Sequence, residues 1–438
     1  MIFRVISNQG RKFSAYGLFS AFPDQFTAIL EDPSGAGNQF LVSRHGQSAS
    51  LSQDASPEHV GIFFDNWKSA VAGYEKSPAI RCLFYASYEA GSVIEALPEP
   101  KTVVPGPLLW TFYPTFSLCF CGESIHIAAK DEATILAVLL MFDDVERRAL
   151  LAPASLQLLA KPDVTSAEVY KKAVEQVKEF IAAGDVFQAN IARFWSLPFD
   201  QLDLLSLYNQ LRRVNPAPFS SFVSIGRGRE TLTLISASPE RLFRIHADGE
   251  VDTRPIAGTR RRAEGDEDDT LKSELLLSEK ERAEHIMLVD LERNDLGRVC
   301  RPGSVDVNER MVIEQYATVQ HIVSNVRGTL EEGRDVVDLF KAMFPGGTIT
   351  GCPKVRCMEI IHDLENNARG PYTGGLGYVA WDGSADMNIL IRTFWQYDGN
   401  LNWAAGAGIV ADSDPEHELI ETGHKAEGLL RALLYQNA

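Results

Sequence analysis

The chain has 438 residues, 45% hydrophobic and 23% charged, and its 59 acidic residues outnumber 42 basic ones for a formal net charge of -17. Length and composition fit a soluble globular protein of two or three domains or one large intertwined core, and the acidity argues against nucleic acid as a partner. No run approaches the ~18 to 20 consecutive apolar residues of a membrane span, and MIFRVISNQGRKF lacks a signal-peptide apolar stretch, so the cytoplasm is the expected compartment.

Residues 1 to about 150 read as short strands and turns, FLVSRHG, GIFFDNW, AIRCLFYASYEAG and LLWTFYPTFSLCFC, followed by an apolar helical segment, ATILAVLLMFDDVERRALL. PASLQLLAKPDVTSAE, with Pro153 and Pro162, reads as a linker between an N-terminal region, 1–160, and a second domain, 161–438. Thr165 and Glu168 then stand in capping-box spacing, and Tyr170, Ala173, Val174, Val177 and Ile181 form a helical stripe that stops at Gly184. FQANIARFWSL, FSSFVSI, TLTLISA and RLFRIHA read as strands, and DDTLKSELLLSEKERAEHIMLVDLERNDLG as a long helix. TGGLGYVAWDG and ADMNILIRTFWQYDG predict a hairpin about Asp382-Gly383, and LNWAAGAGIVADSD predicts another strand. The last helix opens on Ser413 and Glu416, a second capping box, with Pro415 in its first turn. Hairpins outnumber βαβ crossovers, so the sheets should be mainly antiparallel with helices on one face.

Several residues have chemistry beyond packing. Glu281 and Glu284 lie three apart on the long helix, as do Glu418 and Glu421 on the last one, with Lys425 a turn beyond Glu421. Two facing ExxE pairs would suit Mg²⁺, a hard ion that takes carboxylate oxygens; solvated helix faces give the same spacing. His285 after Glu284 raises a carboxylate-bridged iron site, which the strand-rich pattern and the lack of a second ExxH disfavour. GGTITGCPK and AAGAGIVADSD are glycine-rich turns able to present N–H groups to a carboxylate, with Thr348 adding a hydroxyl; neither matches a nucleotide-binding loop. His321 lies in an apolar alternation, Glu240 in SASPERLF is an acid or an ion-pair partner, and Arg392 interrupts a buried-looking strand and needs an anion. RPIAGTRRR gathers four arginines around Ala257 and Gly258 with no nucleophile among them. Six scattered cysteines lack metal-site spacing and read as reduced core thiols.

Taken in order, SPERL, RPIAGTRRR, ERAEHIMLVDLERNDLGRV, GGTITGCPKVRCMEII, ILIRT, GAGIVADSD and ExxExxxK resemble the chorismate-utilising enzymes, over roughly residues 165 to 435. That family includes the large subunits of anthranilate synthase and aminodeoxychorismate synthase, with isochorismate and salicylate synthases. The resemblance implies an α+β fold, a four-layer β/α/α/β sandwich of mainly antiparallel sheets, with the N-terminal region woven into it. It also implies Mg²⁺ held by Glu284 and Glu421, with metal-bound waters on Glu281 and Glu418. By the same resemblance His321 lies near the substrate's C4 hydroxyl, Tyr372 and Arg392 bind the enolpyruvyl carboxylate, and Thr348, the amides of Ala407 and Gly408, and Lys425 surround the rest. Glu240 or His321 would protonate the departing hydroxyl.

Gln188 aligns with the lysine that activates water in isochorismate and salicylate synthases. A neutral amide cannot act as that base, so ammonia is the expected nucleophile. Ala257 in PIAGT resembles anthranilate synthases, whereas QANIAR with Asn190, NPAPFSSF, YASYEAG with EALPEP, and GCPKVRCMEII resemble the aminodeoxychorismate branch, and AILED only weakly matches the LLES element linked to tryptophan feedback. The balance favours the aminodeoxychorismate branch, with anthranilate formation as the alternative and a non-catalytic homologue that binds chorismate or an aromatic amino acid as a second one. No Cys-His-Glu glutaminase module is recognisable, so a separate glutamine amidotransferase subunit is the implied partner. The sequence fixes no oligomeric state, and a homodimer stays open.

Overall fold

A computed structural model describes residues 1–10, 13–145, 147–148, 161–199, 204–261, 265, 272–273, 279–315 and 319–434. The linker reading before Lys161, Arg262 of the arginine run, and most of the predicted long helix before Glu279 lie outside them. The strands of the first part of the chain are β1 (Ile2–Ser7), β2 (Phe26–Glu31), β3 (Gln39–Ser43), β4 (Gly46–Leu51), β5 (Ile80–Ala86), β6 (Leu109–Pro114), β7 (Phe116–Cys121) and β8 (Ser124–Ala129). Then follow β9 (Asp163–Val164), β10 (Gln188–Pro198), β11 (Phe219–Ile225), β12 (Leu232–Ser238), β13 (Arg241–Ile245), β14 (Glu250–Thr253), β15 (Ile256–Arg261), β16 (Asp306–Gln315) and β17 (Val319–Thr329). The last strands are β18 (Gly351–Cys352), β19 (Gly375–Ala380), β20 (Ala385–Ile389), β21 (Thr393–Tyr397) and β22 (Asn400–Ile409). The helices are α1 (Ala15–Ala21), α2 (Pro57–Val71), α3 (Glu132–Val145), α4 (Ala167–Ala183), α5 (Leu204–Val214), α6 (Glu279–Gly297), α7 (Val336–Met343), α8 (Lys354–Leu364) and α9 (Pro415–Leu434).

Among the described residues these strands form a 12-stranded sheet, in the order β1-β8-β7-β3-β2-β11-β12-β21-β22-β10-β18 with β9 beside β10, and a 10-stranded sheet, β15-β17-β14-β13-β20-β19-β5-β6-β4 with β16 beside β17. Their pairings are antiparallel, as the hairpin-rich pattern predicts. Helices α4, α5 and α9 pack on the first sheet and α2, α6 and α7 on the second, which is the α+β sandwich that the resemblance implies. Strands from the first 129 residues continue both sheets.

Three local readings are corrected. GIFFDNW is helical: Phe63, Phe64, Trp67 and Val71 of α2 fall on one buried stripe, and Ser56 caps the helix through the His59 N–H. The α4 cap is Ser166, which accepts from the Val169 N–H, rather than Thr165, although the Tyr170 stripe and the left-handed Gly184 terminus are as expected. Asp414, not Ser413, caps α9, accepting at 3.0 Å from both the Glu416 and His417 N–H groups, while Ser413 turns its hydroxyl to Glu418.

ADMNILIRTFWQYDG is also not one strand. It breaks at Leu390–Arg392, where Arg392 has φ 50°, so that β20 belongs to the second sheet and β21 to the first. The chain makes the opposite passage between β12 and β13, at Pro239–Glu240. These passages lie side by side: the Ile389 N–H donates to Glu240 O and the Ala237 N–H to Arg392 O, each at 3.1 Å. Backbone groups left by the interrupted ladders are thus paired with each other, and Glu240 and Arg392 are fixed together in the interior.

Candidate active site

At these passages the Glu240 carboxyl is buried, and its Oε1 accepts the Thr348 hydroxyl at 2.7 Å. Burial raises its pKa to about 7; the Thr348 hydrogen bond and the positive charges of Arg392 and Lys425 oppose the rise without cancelling it. Burial likewise lowers the pKa of Arg392, and Glu240 is the carboxylate that counters this. Beside them the β15 ladder slips between Ala257 and Thr259, and Gly258 takes up the bulge with φ 61°, a conformation that favours glycine. Its carbonyl faces His321 Nδ1 at 3.3 Å. Burial, then the Arg392 charge, lowers the His321 pKa to about 4, so the imidazole is neutral at pH 7. The structure therefore gathers Glu240, Thr348 and Arg392 with the Gly258–His321 pair, while Ala257, 5% exposed, contributes only a methyl group.

A second group is built on β10 and β22. Asn190 pairs with Gly408 and Ala192 with Gly406, so Gln188, Asn190, Gly406 and Gly408 turn their side-chain positions to one face. A Cβ at Gly408 would collide with the Gln188 amide, and one at Gly406 would lie 2.5 Å from Asn190 Oδ1 and 2.7 Å from the Tyr372 hydroxyl. The absent methyls leave a cradle in which the Gln188 amide, Asn190 and the Tyr372 hydroxyl lie against the β22 backbone. Strand β21 covers β22 only as far as Trp403, and Lys425 Nζ donates to the Gly406 carbonyl at 3.0 Å on that uncovered edge. By strand alternation the Gly408 N–H faces the same edge, whereas the Ala407 N–H turns back to Ile191 on β10. Of the two amides predicted to meet a ligand, only that of Gly408 has the orientation.

The four glutamates are placed unequally. Glu284 accepts the Gln188 amide at 2.7 Å, which ties α6 to the cradle, and Glu421 pairs with Lys425 at 2.8 Å. Glu418 is buried and accepts the Ser413 hydroxyl at 2.7 Å, and Glu281 is half-buried on α6. Among the described residues no three His, Cys, Asp or Glu side chains form a group that could enclose a metal ion. The donors are nonetheless all oxygen, and Mg²⁺ is normally held by one or two carboxylates with water and substrate completing its shell. Glu284 and Glu421, reaching the cradle through Gln188 and Lys425, fit that role.

Arg369, absent from the candidate residues, organises this region. It is 1% exposed, and its guanidinium bonds Glu365 at 2.9 and 2.7 Å, Asn190 O at 2.7 Å and Ile349 O at 3.0 Å, while lying 5.6 Å from the Tyr372 ring centroid. Glu365 Oε1 in turn accepts the Ala192 N–H at 2.9 Å. One ion pair thus binds β10, the Thr348–Ile349 turn and Tyr372. The available signal was an arginine inside ENNARGPYTGG, three residues before Tyr372.

Comparison with known proteins gives relatives in sequence and in structure. The chain is 50% identical over 272 residues to an anthranilate synthase component I-like protein of Synechocystis sp., covering 61% of this chain and 55% of that protein. It is 49% identical over 266 residues to aminodeoxychorismate synthase component 1 of Bacillus subtilis, covering 60% and 55%. The match spans about half the length of these curated relatives. The crystal structure of anthranilate synthase component I from Streptococcus pneumoniae TIGR4 superposes with a TM-score of 0.77 at 28% identity, covering 90% of this chain and 92% of that one. Residues 28–431 match the family model described as chorismate binding enzyme, and the chain belongs to that family.

Proposed function

We propose that the chain aminates chorismate as the large component of an aminodeoxychorismate synthase, replacing the C4 hydroxyl with ammonia to give 4-amino-4-deoxychorismate and water. The observation that carries this reading is Glu240, a buried carboxyl that keeps its proton near neutrality beside the half-buried Arg392. Hydroxide is a poor leaving group, so its departure needs an acid close by, and Arg392 offers a desolvated cation to a substrate carboxylate. The Glu240 O–H bond breaks as the C4 oxygen leaves as water, and the Thr348 hydroxyl stabilises the carboxylate that results. His321, neutral and buried, positions the ring as a hydrogen-bonding group rather than as a charge. Bound Mg²⁺ would neutralise a substrate carboxylate and favour charge redistribution in the ring; Glu284 and Glu421 would hold it, with Glu281 and Glu418 behind them.

Two features support ammonia as the nucleophile. Gln188 is an amide already committed to Glu284, so it offers no base to activate water. Asn190 Oδ1 is buried without a hydrogen-bond partner and faces the cradle beside Tyr372, an acceptor for an N–H of the entering ammonia. Anthranilate formation is the second reading, favoured by Ala257, which matches the PIAGT of anthranilate synthases. Mass spectrometry of products from chorismate, Mg²⁺ and ammonium, with and without aminodeoxychorismate lyase, separates the two. 4-Aminobenzoate formed only with the lyase is the expected result; anthranilate with pyruvate would replace the first reading by the second.

A further inference from the structure

A second buried carboxyl lies behind Glu240, and the reaction as written does not use it. Glu292 on α6 is 3% exposed, and its Oε2 has no hydrogen-bond partner. Its Oε1 is 3.6 Å from the point where a Cβ on Gly347 would sit, so the carboxyl lies against the backbone of a turn whose next residue, Thr348, donates to Glu240 at 2.7 Å. A carboxylate buried there would need a cation of its own. Lys354 is the cation whose field reaches it, but its ammonium is bonded to Asp295, one turn along α6, and to Met343 O at 3.0 Å. The groups that act on Glu292 are Asp295 on α6, Lys354 on α8, Glu240 at the sheet passage and the Thr253 hydroxyl of β14. Arg298 and Glu95 act in turn on Asp295, and Arg392 and Lys425 on Glu240. Burial first, then the charges of Asp295 and Glu240, hold its pKa well above the ordinary carboxylate range against Lys354 and Thr253. The protonated form leaves no buried charge uncompensated.

We propose that Glu292 is the proton store of the site: it keeps a proton in the resting enzyme and passes it across the Gly347–Thr348 turn to Glu240 once Glu240 has protonated the departing hydroxyl. This rests on the reaction proposed above. In the transfer an O–H bond on Glu292 breaks, one on Glu240 forms, and a single negative charge moves from Glu240 to Glu292. Ammonia loses one proton on becoming the substituted amine, and that proton returns to the pair. Chorismate plus ammonia therefore gives aminodeoxychorismate plus water with no outside acid.

The test compares the wild-type chain with Glu292→Gln and Glu292→Asp, using chorismate, Mg²⁺ and ammonium. Glu292→Gln keeps the shape and removes the exchangeable carboxyl proton. The expected result is a first turnover near the wild-type rate followed by steady turnover about 10-fold or more slower, an unchanged KM for chorismate, an altered pH profile of kcat, and partial recovery in Glu292→Asp. A residue that only shaped the turn would slow the first turnover and shift KM as well, which would overturn the store. Infrared difference spectra give a readout independent of turnover: a protonated-carboxyl band at neutral pH that disappears in Glu292→Gln supports the proposal, and its absence from the wild type refutes it. Wild-type-like steady turnover in Glu292→Gln would sink the store alone, whereas no chorismate consumption by the wild type would sink the proposed reaction and the store with it.

Discussion

A carboxyl group acts as an acid at neutral pH only if something prevents its ionisation, and at Glu240 that agent is burial. Its ordinary value is 4.5, and the folded protein raises it to about 7. The sign follows directly: the proton is present below about 7 and is lost as pH rises through that value, so kcat should fall on the alkaline side with an apparent pKa near 7. Glu240→Gln removes the titrating proton and should lower turnover by ~100-fold or more while chorismate still binds. Measuring kcat against pH for both proteins checks this; a wild-type profile flat from acid to alkaline conditions would remove Glu240 from the acid role. The same shift bears on stability. Because the unfolded chain ionises this carboxyl near its ordinary value, the stabilisation is full below about 4.5 and declines as pH rises toward 7.

Among the elements, the Arg369–Glu365 pair joins the most parts of the site, since it bonds β10, the turn after α7 and the segment that carries Tyr372. Arg369→Met leaves Glu365 buried without its cation and should cost about 3 to 5 kcal/mol of stability, read as a lowered urea midpoint. A midpoint within experimental error of wild type would show that the pair is replaceable. This pair also marks the limit of what the sequence reveals. Helices with a clear stripe were legible, as Tyr170, Ala173, Val174 and Val177 of α4 show, and so were strands bounded by glycine turns. GIFFDNW was misread because seven residues are too few to tell the spacing of Phe63, Phe64 and Trp67 from a strand. Cap positions slipped by one residue because Thr165-Ser166 and Ser413-Asp414 each offer two adjacent oxygens, and only backbone direction chooses between them. Contacts such as Thr348 with Glu240, 108 residues apart, have no local periodicity to betray them. The family resemblance points to both residues separately but not to the bond between them.

For the molecule as a whole, the source of ammonia sets the strongest expectation. Burial pushes the thiols of Cys82 and Cys357 up to about 12 and that of Cys300 to about 11, and raises Cys119 and Cys352 as well. Those groups lack the depressed pKa of a nucleophilic glutaminase cysteine. The chain alone should therefore consume chorismate with ammonium but not with glutamine, and glutamine should become competent when an amidotransferase subunit is added. Coupled measurement of glutamate release and chorismate loss tests this; glutamine-dependent turnover by the isolated chain would contradict it. No helix among the described residues is long and apolar enough to cross a membrane.

Glu240 and Arg392 occupy neighbouring passages between the sheets, laced by the Ile389–Glu240 and Ala237–Arg392 backbone bonds. The proposed proton donor and the proposed anion anchor are therefore tied to each other, while the Gly406–Gly408 hollow belongs to the first sheet alone. Sliding of one sheet against the other would shear both passages and the bonds that lace them, so the two sheets are locked in register at the point where the carboxyl and the guanidinium meet.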